Sequence, residues 1–121
     1  MSDCAFDPLA VAVDWLDACR ARNLAELLNL YDKNATHFCG CEGKDFGSEN
    51  LAQYWSGRLA RAVPEAFHLI DLAWKSEGHV HVRLEHVAFD GAPICIDFRF
   101  TTDGKIEQTS CGPIRHCLKS A

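Results

Sequence analysis

At about residue 66 the spacing of apolar side chains changes from one in every three or four residues to one in every two. Upstream, Leu9, Ala12, Val13, Leu16 and Cys19 recur at helical spacing, as do Leu24, Leu27, Leu28 and Tyr31, and then Leu51, Trp55 and Leu59. Downstream, His68, Ile70, Leu72 and Trp74 fall on one side of an extended chain. So do Val80, Val82, Leu84 and His86, and then Ile94, Ile96, Phe98 and Phe100. A helix buries a stripe of period 3.6 and a strand a face of period 2, so the two halves build different structure. Helices followed by strands predict an α+β fold, not an alternating βαβ sheet.

The boundaries carry chemical signals. Asp7 is an N-cap followed by Pro8, whose missing N–H costs nothing at the first helical position. That helix is expected to end near Arg22, with Asn23 capping a short second helix that runs from 24 to about 31. A short strand is expected over 35–41. A third helix, capped by Ser48, stops before Pro64, because the residue preceding a proline avoids the α region. Strands are expected over 66–75 and 79–89, from Pro93 onward, and from 105 to about 114. Their turn signals are Glu77-Gly78, Asp90-Gly91 and Asp103-Gly104. Such turns give an antiparallel meander.

The 121 residues hold no linker, repeat or low-complexity tract, so residues 1–121 are expected to form one domain. No apolar run approaches the roughly 18 residues of a membrane helix, and no secretory leader precedes the first helix, which predicts a cytoplasmic protein without a membrane partner. A net charge of -5 argues against nucleic acid as partner. Arg58 and Arg61 read as a local solvated pair. The seven cysteines, several within apolar periodic segments, read as reduced thiols acting as small hydrophobes. His79 with His81, and Cys39 with Cys41, do not match structural zinc spacing, so neither a metal nor another cofactor is expected. Phosphate-binding glycine loops and the nucleophile elbow are missing from the sequence.

Three stretches together are similar to one family. NLAELLNLYDKNATHF resembles a second helix and the strand after it, GSENLAQYWSGRL a glycine-introduced third helix, and FRFTTDGKIEQ a final hairpin. In that order they resemble the SnoaL-like and ketosteroid-isomerase-like proteins of the nuclear transport factor 2 superfamily. The resemblance implies a cystatin-like cone, with N-terminal helices packed on a strongly curved antiparallel sheet around an apolar pocket. It also implies a homodimer through the outer sheet face, and a small hydrophobic molecule as partner. The isomerases' catalytic groups do not carry over. The position of their carboxylate base holds Cys39, that of their tyrosine donor Trp15, and that of their second acid Ile96.

What remains for acid–base work is His86, His37 and His68, each placed by alternation on an apolar or pocket-facing side, together with Cys39 as a nucleophile beside His37. Tyr31 and Tyr54 are candidate donors. Trp15, Tyr31, Tyr54, Trp55, Trp74, Ile96 and Phe98 are the expected pocket walls. Two readings stand: a cyclase, isomerase or dehydratase using histidine, or a ligand-binding or association module of the same fold without catalysis.

Overall fold

Asp7 and Pro8 start the first helix as expected, and the Asp7 carboxylate accepts the Leu9 N–H at 3.1 Å. The computed structural model describes residues 7–40, 42–74 (without the Trp74 side chain) and 81–113. Helix α1 spans Pro8–Arg20 and α2 Leu24–Asn29. Between them Arg22 takes the left-handed conformation at φ 57. The N–H groups of Arg22 and Asn23 return to the carbonyls of Cys19 and Ala18, satisfying the helix end. A side chain is tolerated there because the Arg22 guanidinium donates to the Cys19, Arg20 and Val63 carbonyls.

The chain then enters β1, Tyr31–Cys39, earlier than the sequence pattern implies. Tyr31 is thus the first residue of a strand rather than the last of a helix. Strand β2, Lys44–Phe46, precedes α3, Ser48–Ala60, which is capped by Gly47 and not by Ser48. The remaining strands are β3 (Leu69–Trp74), β4 (His81–Val87), β5 (Pro93–Phe100) and β6 (Ile106–Pro113). They form the expected meander, within one sheet of order β2-β1-β6-β5-β4-β3.

The all-antiparallel expectation is corrected at one seam, because β1 runs parallel to β6. Hairpin signals report only neighbours in sequence, and this pairing joins segments about 70 residues apart. The register places His37 beside Thr109 and Cys39 beside Cys111. The Gly40 N–H donates to the Cys111 carbonyl at 2.8 Å, so near that a Cβ on residue 40 would collide with that oxygen.

Register shifts interrupt the β1–β6, β3–β4 and β5–β6 ladders. Each such irregularity bends and twists a sheet, and this one curves around the helices. On its concave side α1 packs against β3 and β4, whereas α3 packs against β1 and β2. Trp15, Leu16, Leu27, Leu84, Ile96, Phe98 and Ile106 fill the core between them.

The β3 irregularity also corrects a site expectation. Leu69 pairs with His86 but Asp71 with Glu85, so Ile70 is an extra residue. One extra residue reverses the faces before it. His68 is therefore exposed and Ile70 is 47% exposed, not aligned with the inward side chains. No helix among the described residues is long and apolar enough to cross a membrane. Cys19, Cys39 and Cys111 are thiols, whereas Cys95 is disulfide-bonded, which departs from the all-reduced reading.

Candidate functional site

Because the two helices cover opposite ends of a bent sheet, a cavity of about 240 Å³ lies between them. Trp15 of α1 and Trp55 of α3 approach edge to face at 5.5 Å in its wall. Ile94 and Ile96 of β5 supply the sheet side. Phe67 adds a further wall from a left-handed backbone at φ 67, its N–H donating to the Val87 carbonyl at 2.6 Å. That bond holds a large side chain in an unfavourable conformation, of a kind found at binding sites.

His86 is a polar group on the apolar side of this wall, among Trp15, Phe67 and Ile96, whereas Tyr54 and Arg58 line it elsewhere. Its ring lies edge-on to Trp15 at 5.5 Å and stacks on Phe67 at 5.8 Å. It is 2% exposed, and burial lowers its pKa from 6.5 to about 4. The ring is therefore neutral at pH 7. Nδ1 lies 2.9 Å from the Val87 carbonyl, which only accepts, so Nδ1 carries the proton. Nε2 is then a bare acceptor, and it has no partner.

His37 has a different place. It is fully buried behind the cavity wall, and burial, aided by the Arg58 charge, lowers its pKa to about 3. Its Nδ1 lies 2.6 Å from Thr109 Oγ1 and its Nε2 3.1 Å from the Tyr54 hydroxyl. The Tyr31 hydroxyl lies 3.0 Å from the same Thr109 oxygen and accepts the Trp15 indole N–H at 3.3 Å. An indole can only donate. The arrangement that satisfies every group therefore runs one way. Trp15 donates to Tyr31, Tyr31 to Thr109, Thr109 to His37 Nδ1, and His37 Nε2–H to Tyr54. The Tyr54 proton is left free to act on Cys39, whose pKa the tyrosine helps to lower. Burial raises the pKa values of both tyrosines, so both stay protonated.

Cys39 lines the cavity. Burial works to raise its pKa, but donors outweigh it: the Tyr54 hydroxyl, the Glu42 backbone N–H and Arg58 hold the thiol below its ordinary value. Arg58 Nη2 lies 3.6 Å from the sulfur and 2.7 Å from Glu42 Oε2. Its guanidinium lies over the rings of Tyr54 at 4.7 Å and Phe89 at 4.6 Å.

The sequence-derived candidates thus separate. His86, Cys39, Trp15, Tyr54, Trp55 and Ile96 line the cavity. His37 and Tyr31 stand behind it in the hydrogen-bonded chain, and Phe98 packs on Trp15 at 5.3 Å in the core. His68 is on the surface. The Trp74 side chain, Cys41 and His79 lie outside the described residues. Among the described residues no cluster of three or more His, Cys, Asp or Glu is placed to hold a metal.

Several wall residues escaped the sequence reading, among them Phe67, Ile94, Arg58 and Cys111. Arg58 is a cavity residue with its side chain 13% exposed, not a solvated one. The signal was present, since Leu51, Tyr54 and Arg58 recur on one helical face. Cys111 also lines the cavity, but the β5–β6 irregularity hides its facing from simple alternation.

No known family's sequence profile matches the chain, and no curated protein matches it either. Solved structures do. A SnoaL-like protein of unknown function from Burkholderia thailandensis superposes with a TM-score of 0.75 at 14% identity, over 92% of this chain and 98% of that one. An NTF2-like protein of unknown function from Cytophaga hutchinsonii gives 0.63 at 13%, over 98% and 99%. A hypothetical protein with a ketosteroid isomerase-like fold from Catenulispora acidiphila, in complex with trimethylamine, gives 0.62 at 17%, over 84% and 83%. The chain has the α+β cone fold of the nuclear transport factor 2 superfamily.

Proposed function

We propose that this cone of the nuclear transport factor 2 type takes up one small apolar or amphipathic molecule, on which His86 acts as proton acceptor. The unpartnered Nε2 of His86 in the cavity wall carries the reading. A buried acceptor without a partner costs roughly 1–3 kcal/mol. A ligand bringing an O–H or N–H to that nitrogen removes the cost, and one without a donor does not. The volume suits about two fused rings, since an apolar cavity of ~150 Å³ already takes benzene. The Catenulispora neighbour, which binds trimethylamine, supports a small ligand in such a cone.

The reaction class is cyclase, isomerase or dehydratase. These move a proton from a carbon or oxygen already acidified by a nearby carbonyl. An imidazole held at about 4 is a weak base at rest, so it suits such pre-acidified protons and not unactivated ones.

Indole and indene differ in the N–H alone and test the reading. By calorimetry, indole is expected to bind about tenfold more tightly than indene. In His86→Phe, which keeps a ring against Phe67 and Trp15, the difference is expected to vanish. Equal affinities in the unmodified protein would refute the assignment.

A homodimer through the outer sheet face belongs to the same proposal. Light scattering at micromolar concentration is expected to give twice the single-chain mass, and the single-chain mass would exclude the dimer.

A further inference from the structure

Two thiols share the cavity wall, and the His86 reading uses neither. Cys39 and Cys111 are direct partners in the parallel β1–β6 ladder, and both face the cavity. The Cys111 side chain is near enough to Cys39 to help hold that thiol's pKa down. Paired strands run about 4.8 Å apart, inside the Cα separation of about 4.4–6.8 Å that a disulfide spans. The Gly40 N–H on the Cys111 carbonyl fixes this register, because only glycine fits against that oxygen.

The two sulfurs are not equivalent. Arg58 donates to the Cys39 sulfur at 3.6 Å, and the Tyr54 hydroxyl, the Glu42 backbone N–H and Cys111 also help to lower that thiol's pKa. Arg58 is held for this by Glu42 and by the rings of Tyr54 and Phe89. Cys111 instead has His37 Nε2 at 3.7 Å from its sulfur. Cys19 is fully buried in the core, away from the cavity, and burial pushes its thiol well up.

We propose that Cys39 and Cys111 form a peroxide-reducing dithiol, with Cys39 attacking, Cys111 resolving, and an apolar organic hydroperoxide held in the cavity as substrate. The Cys39 thiolate attacks the terminal oxygen of ROOH. An S–O bond forms, the O–O bond breaks, and the electron pair leaves on the alkoxide oxygen, which takes a proton to become ROH. Arg58, beside the sulfur, faces the negative charge that passes from thiolate to alkoxide. Cys39 is now a sulfenic acid. The Cys111 sulfur attacks it, an S–S bond forms, and hydroxide leaves with the Cys111 proton as water. One hydroperoxide and two thiols give one alcohol, one water and one disulfide. An external small thiol reductant reopens the pair by exchange. The apolar wall sets the substrate class, because hydrogen peroxide gains nothing from Trp15, Phe67 or Ile96.

The test uses the full chain, reduced with dithiothreitol and freed of it, then exposed separately to cumene hydroperoxide and to hydrogen peroxide. One equivalent of cumyl alcohol per chain and a Cys39–Cys111 disulfide in peptide mass mapping are expected. Cumene hydroperoxide is expected to react about tenfold faster than hydrogen peroxide, the difference that burying two CH₂-sized groups makes. Cys111→Ser is expected to stop at a Cys39 sulfenic acid that dimedone traps. Arg58→Gln is expected to move the pH profile of Cys39 alkylation upward, a shift that loss of packing alone does not produce. Pairing of Cys39 with Cys41 or any other cysteine, no disulfide at all, or equal rates with the two peroxides would overturn the proposal. Indole binding, measured on the same sample, separates the two readings. If it persists without the disulfide, only the dithiol fails. If the disulfide forms without it, only the His86 assignment fails.

Discussion

Acidification from about pH 7.5 to about pH 5 is expected to remove ~4 kcal/mol of folding stability, before the carboxylates begin to titrate. The cause is a pair of buried neutral imidazoles. His37 and His86 have pKa values lowered to about 3 and about 4, in both cases chiefly by burial. In the unfolded chain each returns to about 6.5. Between those values the unfolded state binds more protons than the folded one, so stability rises with pH. It is fully present above about 6.5 and falls as pH drops toward the folded values. Each histidine contributes ~1.4 kcal/mol per pH unit in that window. Against a total of roughly 5–15 kcal/mol for a domain, the loss is large. Urea denaturation across the pH range measures it. His37→Phe or His86→Phe is expected to halve the slope between pH 6.5 and 5. A stability independent of pH over that interval would show that the imidazoles are not held neutral.

Trp15→Ala is expected to cost ~3–5 kcal/mol. Trp15 is 0% exposed and meets Trp55, Phe67, His86 and Phe98 edge to face at 5.5, 6.4, 5.5 and 5.3 Å. Its removal joins the side chain's volume to an existing cavity, and the neighbours stand on α3, β4, β5 and the loop before β3 and cannot collapse together. The indole also heads the hydrogen-bonded chain, so its loss frees the Tyr31 oxygen from its donor. Trp15→Phe separates the two effects. It keeps most of the ring area, removes the N–H, and is expected to cost ~1–2 kcal/mol. Urea midpoints report both variants. A cost below ~1 kcal/mol for Trp15→Ala would mean that the ring does not hold the helical layer to the sheet.

The local level was well written in the chain. Asp7-Pro8 starts α1, Asp90-Gly91 turns β4 into β5, and the alternation of Val82, Leu84 and His86 places that histidine inward. Cys39 reached the cavity for the same reason, by alternation along β1 from Ala35 and His37. These readings succeed because φ/ψ preference and side-chain periodicity act over a few residues. The failures have a common physical origin. The extra residue at Ile70 moved His68 to the surface, because a one-residue slip in a strand reverses its faces. Tyr31 looked helical because a four-residue spacing from Leu27 fits either the end of a helix or the first residue of a strand. Arg58 shared the buried helical face with Tyr54, but its charge argued for solvent. What holds it at the cavity is an acidic partner, Glu42, and two rings, Tyr54 and Phe89, of which all but Tyr54 come from outside α3.

The sequence by itself determined the order of the helices and the long strands, the hairpin signals and the inward facing of His86 and Cys39, because each follows from local geometry, and its family resemblance implied the cone. Only the tertiary structure decided that β1 lies parallel to β6. That single non-local pairing sets Cys111 beside Cys39 and Thr109 beside His37. It thereby creates both the thiol pair and the one-way hydrogen-bonded chain. No local rule encodes it, since such a contact is selected by the burial of the whole sheet and not by the residues on either side of it.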